Sequence, residues 1–308
     1  MRIRLQPWQL AVCVVALSCA AVGVARWRKN AVTWGAARMI AALPSEHATL
    51  LYLNVDALRR SGVLERLVGP KTTEEADYRR FVEQIGFDYR TDLDSVAAAF
   101  LNGDSYFVVH GRFQWTQLAE YARTQGGACH YAVCSLPAST VGHKISFYPL
   151  SQDVLALAAT SDRSSVDVIA PSSVTRVAPL PPEPVWIEIP SSALVKSASL
   201  PPGVQTFLGS VTRADRVTIA VGADGQHPMV RLSVACKTLN DAEMVRMELY
   251  DATNALRNVA VSESPAPGQP DWVGFLRSGT FVRNESEVTG TWPMEQGFLA
   301  ALVSSEAP

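Results

Sequence analysis

The hydrophobic pattern predicts one folding unit that occurs twice along the chain. Thr49–Val55 and Val185–Ile189 are apolar runs of strand length. A short helical pattern follows each run, and Ala57–Ser61 matches Ala193–Ser197 nearly position for position. The proline-rich stretch 171–184 separates the two units, which favours a stiff hinge at that point.

The later elements repeat in the same order. Strands predicted at Ser95–Leu101 and Ser105–His110 flank Asn102-Gly103, a pair suited to a tight hairpin turn, and a second hairpin pairs Arg216–Val221 with Met229–Ala235. We expect each hairpin to be followed by a helix and then by two more strands and a helix. The fold class is therefore α+β: two tandem units of antiparallel sheet with helices packed on one face. The predicted divisions are 1–42 (membrane segment and spacer), 43–170 (first unit), 171–184 (hinge) and 185–308 (second unit).

Helix boundaries follow from capping signals and from helical periodicity. In the first unit we expect an additional amphipathic helix over Thr73–Gly86, opened by a capping box of Thr72 and Glu75. In the second unit we expect a long helix over Asp241–Val259, capped by Asn240 with Glu243.

The N-terminus carries a segment suited to a membrane. Leu10–Ala25 holds sixteen residues without a charge, bracketed by Trp8 and Trp27. As a helix, Trp8 to Trp27 spans about 28 Å, close to the hydrocarbon core of a bilayer, with an indole at each interface. The segment predicts a transmembrane or signal helix.

Three fates of this segment are open at the level of sequence. It is a retained signal-anchor, a signal peptide cleaved after Ala25, or a lipoprotein signal processed at Cys19. The basic residues that follow it outnumber those before it, which by the positive-inside rule favours a cytoplasmic domain. We nevertheless expect export across the inner membrane, with the large domain periplasmic, because an N-terminal segment of this length resembles an uncleaved signal.

The composition and charge of the chain limit the kinds of partner that it could bind. The chain is 48% hydrophobic and 18% charged, which is typical of packed cores rather than disorder. The first 30 residues hold five basic and no acidic side chains, so the rest holds 22 basic against 29 acidic ones. A net acidic domain without a basic run has little to neutralise phosphates with, which argues against nucleic-acid binding.

Cysteine placement allows several states. Cys129 and Cys134 lie close together in a predicted irregular strand after Gly126-Gly127, and could form a local disulfide, remain reduced, or bind a metal with His130 between them. Cys236 alternates with apolar residues in a strand, which indicates a buried thiol.

The residues of ordinary enzymatic chemistry form no readable motif. Asp88, Asp92 and Asp94 have a spacing unlike an EF-hand, and we interpret them as turn-capping and loop residues before a strand, with calcium binding as the alternative. The histidines are scattered, and the sequence has neither a nucleophile elbow nor a phosphate-binding glycine loop. We therefore assign no catalytic, cofactor or metal residue and expect no cofactor; a triad assembled in space keeps enzyme activity open.

Three stretches carry a resemblance to a known group of proteins. They are Leu43-Pro44 with Ala48–Leu58, then Gly86–Asp94, then Gly111-Arg112-Phe113. In these stretches the first unit resembles uncharacterised bacterial envelope proteins of the domain-of-unknown-function type, which carry an N-terminal membrane segment. The resemblance implies a bacterial, membrane-tethered, exported domain and assigns no catalytic residues.

The sequence thus favours a membrane-tethered extracytoplasmic binding or scaffolding protein. Its two units predict a cleft or a continuous sheet between them, where polar groups could hold a ligand. The expected partners are the membrane itself and another envelope protein, a lipid or a polymer. An envelope hydrolase and a cytoplasm-facing membrane adaptor are the alternatives, and reduced Cys129 and Cys134 would favour the adaptor.

Overall fold

The computed structural model describes residues 34–68, 76–138, 142–161, 165–170, 179–194, 209–224, 227–259, 271–295, 297–298 and 301. Residues 36–308 group as one compact unit. The predicted membrane segment at Leu10–Ala25 and residues 171–178 of the predicted hinge at 171–184 lie outside the described residues. Within the described part of the chain, no helix is both long and apolar enough to cross a bilayer.

Twelve strands form a single sheet in which every neighbouring pair is antiparallel. The order across the sheet is β11-β12-β10-β9-β8-β1-β2-β3-β7-β6-β5-β4. The strands are β1 Thr49–Asn54, β2 Leu93–Leu101, β3 Asp104–Gly111, β4 Ala128–His130, β5 Val133–Pro137, β6 Lys144–Ser151, β7 Val154–Thr160, β8 Val185–Pro190, β9 Ala214–Asp224, β10 His227–Cys236, β11 Thr280–Asn284 and β12 Glu287–Pro293.

Nine α-helices and one 3₁₀ turn accompany the sheet in the described residues, so the fold class is α+β, as predicted. The turn is Ser165–Val168. The helices are α1 Ala36–Ala41, α2 Val55–Arg60, α3 Val63–Val68, α4 Ala76–Ile85, α5 Tyr89–Asp92, α6 Trp115–Thr124, α7 Ser191–Leu194, α8 Leu239–Val259 and α9 Trp272–Arg277.

The two halves of the sheet meet at β1 and β8, a junction that we call the seam. There Leu51 pairs with Ile187, and Tyr52 pairs with Trp186. Outward from the seam the strand order is β1-β2-β3-β7-β6-β5-β4 on one side and β8-β9-β10-β12-β11 on the other; without the β4–β5 hairpin, the two orders correspond strand for strand. The sequence was compatible with either a cleft or a continuous sheet between the two halves. The structure has a continuous sheet.

Helices lie on both faces of this sheet, so the prediction of helices on one face is wrong. Helix α8 packs Val245 and Leu249 against Val217, and α6 packs Ala122 against Phe147. The strand registers place those two sheet residues on the same face. Helix α1 lies on the other face, because its Met39 sulfur contacts the Ser95 hydroxyl at 3.3 Å and Ser95 pairs with Asn54 rather than Leu53. The reason is that the central strands are apolar on both sides and need cover on both.

Two local predictions have opposite outcomes. The Asn102-Gly103 turn is confirmed, since both residues have positive φ, 55° and 91°, as a two-residue hairpin of this type requires. The predicted cap of α8 is wrong: Thr238, not Asn240, receives the amide hydrogen of Asp241 at 3.0 Å. Thr238 directly precedes the first residue of the helix, so its hydroxyl can accept the amide hydrogen of the residue three positions on. The capping box at Thr72 and Glu75 lies outside the described residues.

Candidate functional site

A cavity of about 1130 Å³ lies at the end of the seam. We call it the seam cavity. Both halves contribute to it: the turn before β1, the β2–β3 hairpin and the start of α7. Its lining consists of Pro44, Ser45, Glu46, His47, Thr49, Phe100, Leu101, Asn102, Gly103, Ser192 and Ala193.

Local geometry explains why this cavity is open. His47 takes a positive φ of 57°, which turns the chain sharply ahead of β1, and Ala48 donates its amide to the Ser45 carbonyl at 3.4 Å. On the opposite wall, the β2–β3 hairpin carries Phe100 to the rim, where 38% of the residue is exposed. An aromatic ring at the mouth of a cavity offers an apolar contact to whatever enters.

A row of apolar side chains, which we call the floor, follows Thr49 along one face of the seam. Thr49 pairs with Phe100 at the cavity, and Leu51 and Leu53 follow on the same face of β1. Across the seam they pair with Ile187 and Val185. All four aliphatic side chains are only half-buried. Since central strands normally bury such residues, this row forms an apolar floor between the surfaces covered by α6 and α8.

The titratable groups of the seam cavity are poorly placed for acid–base catalysis. Glu46 and His47 approach each other at 3.9 Å, but their side chains are 93% and 78% exposed. Solvated neighbours of this kind form a weak ion pair. The arrangement suits binding of a ligand with an apolar part, which Phe100 and the floor would contact, and with polar groups that Asn102 and Ser192 would meet.

The three carboxylates considered in the sequence analysis, those of Asp88, Asp92 and Asp94, each contact a different residue. Asp88 caps α5 by accepting the amide hydrogen of Arg90 at 2.9 Å, which confirms the capping interpretation. Asp92 lies beside the Arg112 guanidinium at 2.8 Å, and Asp94 lies 3.4 Å from His110. Among the residues that the structure describes, no group of three or more histidine, cysteine, aspartate or glutamate side chains has an arrangement that could hold a metal ion.

One cluster of titratable groups was not foreseen from the sequence. His110 lies between two carboxylates, 3.4 Å from Asp94 and 3.2 Å from Asp153. Burial alone would raise the pKa of Asp153, but hydrogen bonds from Ser151, from its own backbone amide and from His110 outweigh burial, so its pKa is lowered. The cluster ties the ends of β3 and β7 together at the surface, which is a structural role.

Of the three cysteines that the structure describes, two form a disulfide and one is a buried free thiol. Cys129 and Cys134 form a disulfide and are directly paired across the β4–β5 hairpin, so the disulfide alternative is confirmed. Sequence reasoning treated this stretch as one irregular strand, because Tyr131-Ala132 carries no turn signal. Cys236 is a buried free thiol, as predicted, and burial, reinforced by the Asp241 charge, raises its pKa. A thiol held protonated is a poor nucleophile.

Removal of the disulfide provides a stability prediction. We expect the paired change Cys129→Ser with Cys134→Ser to lower the free energy of unfolding by about 2 kcal/mol, the loop-entropy value for a bridge that closes so short a loop. Urea denaturation of both forms measures the difference. Reductant should lower the stability of the original chain by a similar amount and leave the serine variant unchanged; an equal effect of reductant on both would contradict the assignment.

Comparison with known proteins gives limited similarity. No protein-family model matches the chain, and no curated protein matches it by sequence. Crystal form I of TP0453 aligns with the chain with a TM-score of 0.48 and 11% identity over 88% of this chain and 98% of that one. Form IV of TP0453 has a TM-score of 0.47 with 11% identity, covering 86% and 96%, and form III has 0.45 with 12% identity, covering 87% and 98%. At these values the likeness does not identify a shared function.

Proposed function

We propose that the chain is a membrane-tethered extracytoplasmic binding protein that holds a ligand with an apolar part at the seam. The observation that carries the proposal is the seam cavity, which both halves build, together with the row of half-buried aliphatic side chains that follows Thr49 along the seam. An open cavity with an aromatic residue at its rim and polar side chains in its lining is suited to ligand binding.

The proposal extends to how the domain arose and where it resides. The strand order outward from the seam is the same in both halves apart from the β4–β5 hairpin, which supports two tandem similar units. The Cys129–Cys134 disulfide supports an oxidising compartment and weighs against the cytoplasm-facing adaptor. The apolar segment Leu10–Ala25 supports a single-span anchor in the inner membrane, with the domain periplasmic.

A titration with an apolar fluorescent probe, 1-anilinonaphthalene-8-sulfonate, tests the binding site. We expect saturable binding to the native protein and, for Phe100→Asp, affinity weakened by about tenfold or more, because a carboxylate at the rim opposes entry of the apolar anion. Val282→Asp is the matched control, since Val282 is 66% exposed on β11 at the far edge of the sheet. Equal affinities of the two variants, or no saturable binding, would contradict the proposal.

Protease treatment tests the compartment separately. We expect a protease added outside permeabilised outer membranes, with the inner membrane intact, to digest the domain. Digestion only after the inner membrane is broken would reject the extracytoplasmic placement and leave the seam site to be judged by the titration.

A further inference from the structure

The two central strands of the sheet are covered on one face and accessible on the other. On the face where α1 lies, Tyr52 of β1 and Trp186 of β8 are 8% and 1% exposed. On the opposite face of the same two strands, the four aliphatic side chains of the floor are only half-buried. Accessible apolar surface of this kind marks an interaction site or a ligand-binding groove.

The floor has one polar end and one closed end. It begins at Thr49, which lines the seam cavity together with Asn102 and Ser192. It ends at Leu53, because Val55 is 1% exposed at the start of α2. Thr49 to Leu53 covers four residue steps, about 14 Å at the ordinary rise of a strand. A ligand that fills the floor therefore has an apolar body of about this length and a polar group at one end.

No charged side chain interrupts the floor. On the neighbouring strand β2, the residues opposite Thr49, Leu51 and Leu53 are Phe100, Ala98 and Val96. The titratable groups of the seam cavity, Glu46 and His47, have side chains that are 93% and 78% exposed, so they lie in water. A polar mouth that leads to an uncharged aliphatic row matches the division of an amphiphile into head and hydrocarbon chain.

The floor offers a protein partner little to recognise. Strands β1 and β8 are paired on both sides, so neither has a backbone edge to which a further strand could be added. Its side chains are leucine, isoleucine and valine, whereas the cores of protein interfaces are enriched in aromatic residues, methionine and arginine. A hydrocarbon chain needs no hydrogen bond and gains free energy from each methylene that it removes from water.

We propose that the seam holds a lipid amphiphile, with its acyl chain on the floor and its polar head in the seam cavity. This inference rests on the proposed function and deepens it, because it names the class of ligand and the direction in which the ligand lies. An extended hydrocarbon chain advances about 1.3 Å per carbon, since its C–C bonds of about 1.5 Å form a zigzag, so the floor accommodates about eleven carbons. Carbons beyond that number find no further floor.

Photolabelling of the full-length protein in its native membrane fraction tests the direction of the chain. The probes are two dodecanoic acids that carry a diazirine at carbon 3 or at carbon 10. We expect the first probe to label peptides of the mouth, around Phe100 and Ser192, and the second to label Leu53 and Val185. Identical labelled peptides from both probes, or label confined to the predicted membrane segment Leu10–Ala25, would overturn the proposal.

Competition by unlabelled straight-chain fatty acids in the same preparation tests the length, with each affinity referred to the free aqueous concentration of the acid. We expect the affinity to rise about fourfold per methylene from six to about twelve carbons and then to level off. Lauroyl lysophosphatidylcholine carries the same chain as dodecanoate on another head, so this pair shows which head the cavity accepts, and this length dependence with either head supports the proposal. Equal affinity at all lengths, or an unbroken rise to eighteen carbons, would overturn it.

Leu51→Gln tests the floor itself, because it places a polar side chain in the middle of the row. Dodecanoate binding is expected to weaken by about tenfold or more, whereas Val282→Gln on β11 at the far edge of the sheet should leave it unchanged. Thermal unfolding establishes that both variants fold, and the labelling of the native chain needs neither.

The outcomes separate this inference from the proposed function. Saturable binding of 1-anilinonaphthalene-8-sulfonate without any dependence on acyl length would overturn the lipid assignment and leave the proposed function standing. Absence of saturable binding of either compound would reject both. Self-association of the chain that Leu51→Gln abolishes, without fatty-acid binding, would assign the floor to a second copy of the chain and overturn the lipid assignment.

Discussion

Replacing Trp186 with alanine is expected to lower the free energy of unfolding by about 3–5 kcal/mol, the usual cost of deleting a large buried aromatic side chain. Trp186 is 1% exposed and stacks on Tyr52 across the seam, with ring centroids 5.8 Å apart. Because the two residues belong to the two halves, the loss weakens the seam itself. We therefore expect both halves to unfold in one transition at lower urea concentration.

The measurement is urea unfolding followed by tryptophan fluorescence and by circular dichroism. Trp186→Phe is the matched control: it keeps an aromatic ring and removes an indole N–H that, among the described residues, has no hydrogen-bond partner, so a loss under about 1.5 kcal/mol is expected. Two separate transitions, or a loss below about 1 kcal/mol for Trp186→Ala, would show that the seam contributes little.

Leu249→Ala is expected to cost about 2–5 kcal/mol, because the residue is 0% exposed at the centre of the contact between α8 and the sheet. Its neighbours in that contact include Val217 and Val234. Met247, two residues away on the same helix, is 39% exposed, so Met247→Ala is the control and should change stability by at most about 0.5 kcal/mol.

Thermal or urea unfolding of the two variants measures this difference. Similar losses in both would mean that α8 rests on the sheet by another face than the one described. A loss confined to Leu249→Ala would confirm that α8 contacts the sheet through the face that carries Leu249.

Sequence patterns predicted the elements whose causes are local. The positive φ angles at Asn102 and Gly103 follow from those two residues alone, and the long helix α8 follows from its period. The N-terminal cap of α8 was predicted wrongly. Thr238 and Asn240 are both good capping residues, and which of them caps depends on where β10 ends at Cys236, a boundary set by pairing with β9 and β12.

Features that depend on distant residues could not be read from the chain. The pairing of β1 with β8 joins residues more than a hundred positions apart, and no local pattern specifies it. The seam cavity follows from that pairing, so its lining was not predicted either. The contact of His110 with Asp94 and Asp153 likewise arises because three strands end at one place. The turn at Tyr131-Ala132 was also missed, although it is local, because neither residue is of a type that favours two-residue hairpin turns.

Amide hydrogen exchange at the seam tests the central claim, that both halves form one sheet joined through β1 and β8. The account predicts that the amides of β1 and β8 are among the slowest to exchange, on the order of 100-fold or more slower than those of the edge strand β11 within the same molecule, because opening the seam requires unfolding of the whole sheet. Exchange in β1 and β8 as fast as in β11 would contradict it, and would mean that the halves separate readily in solution.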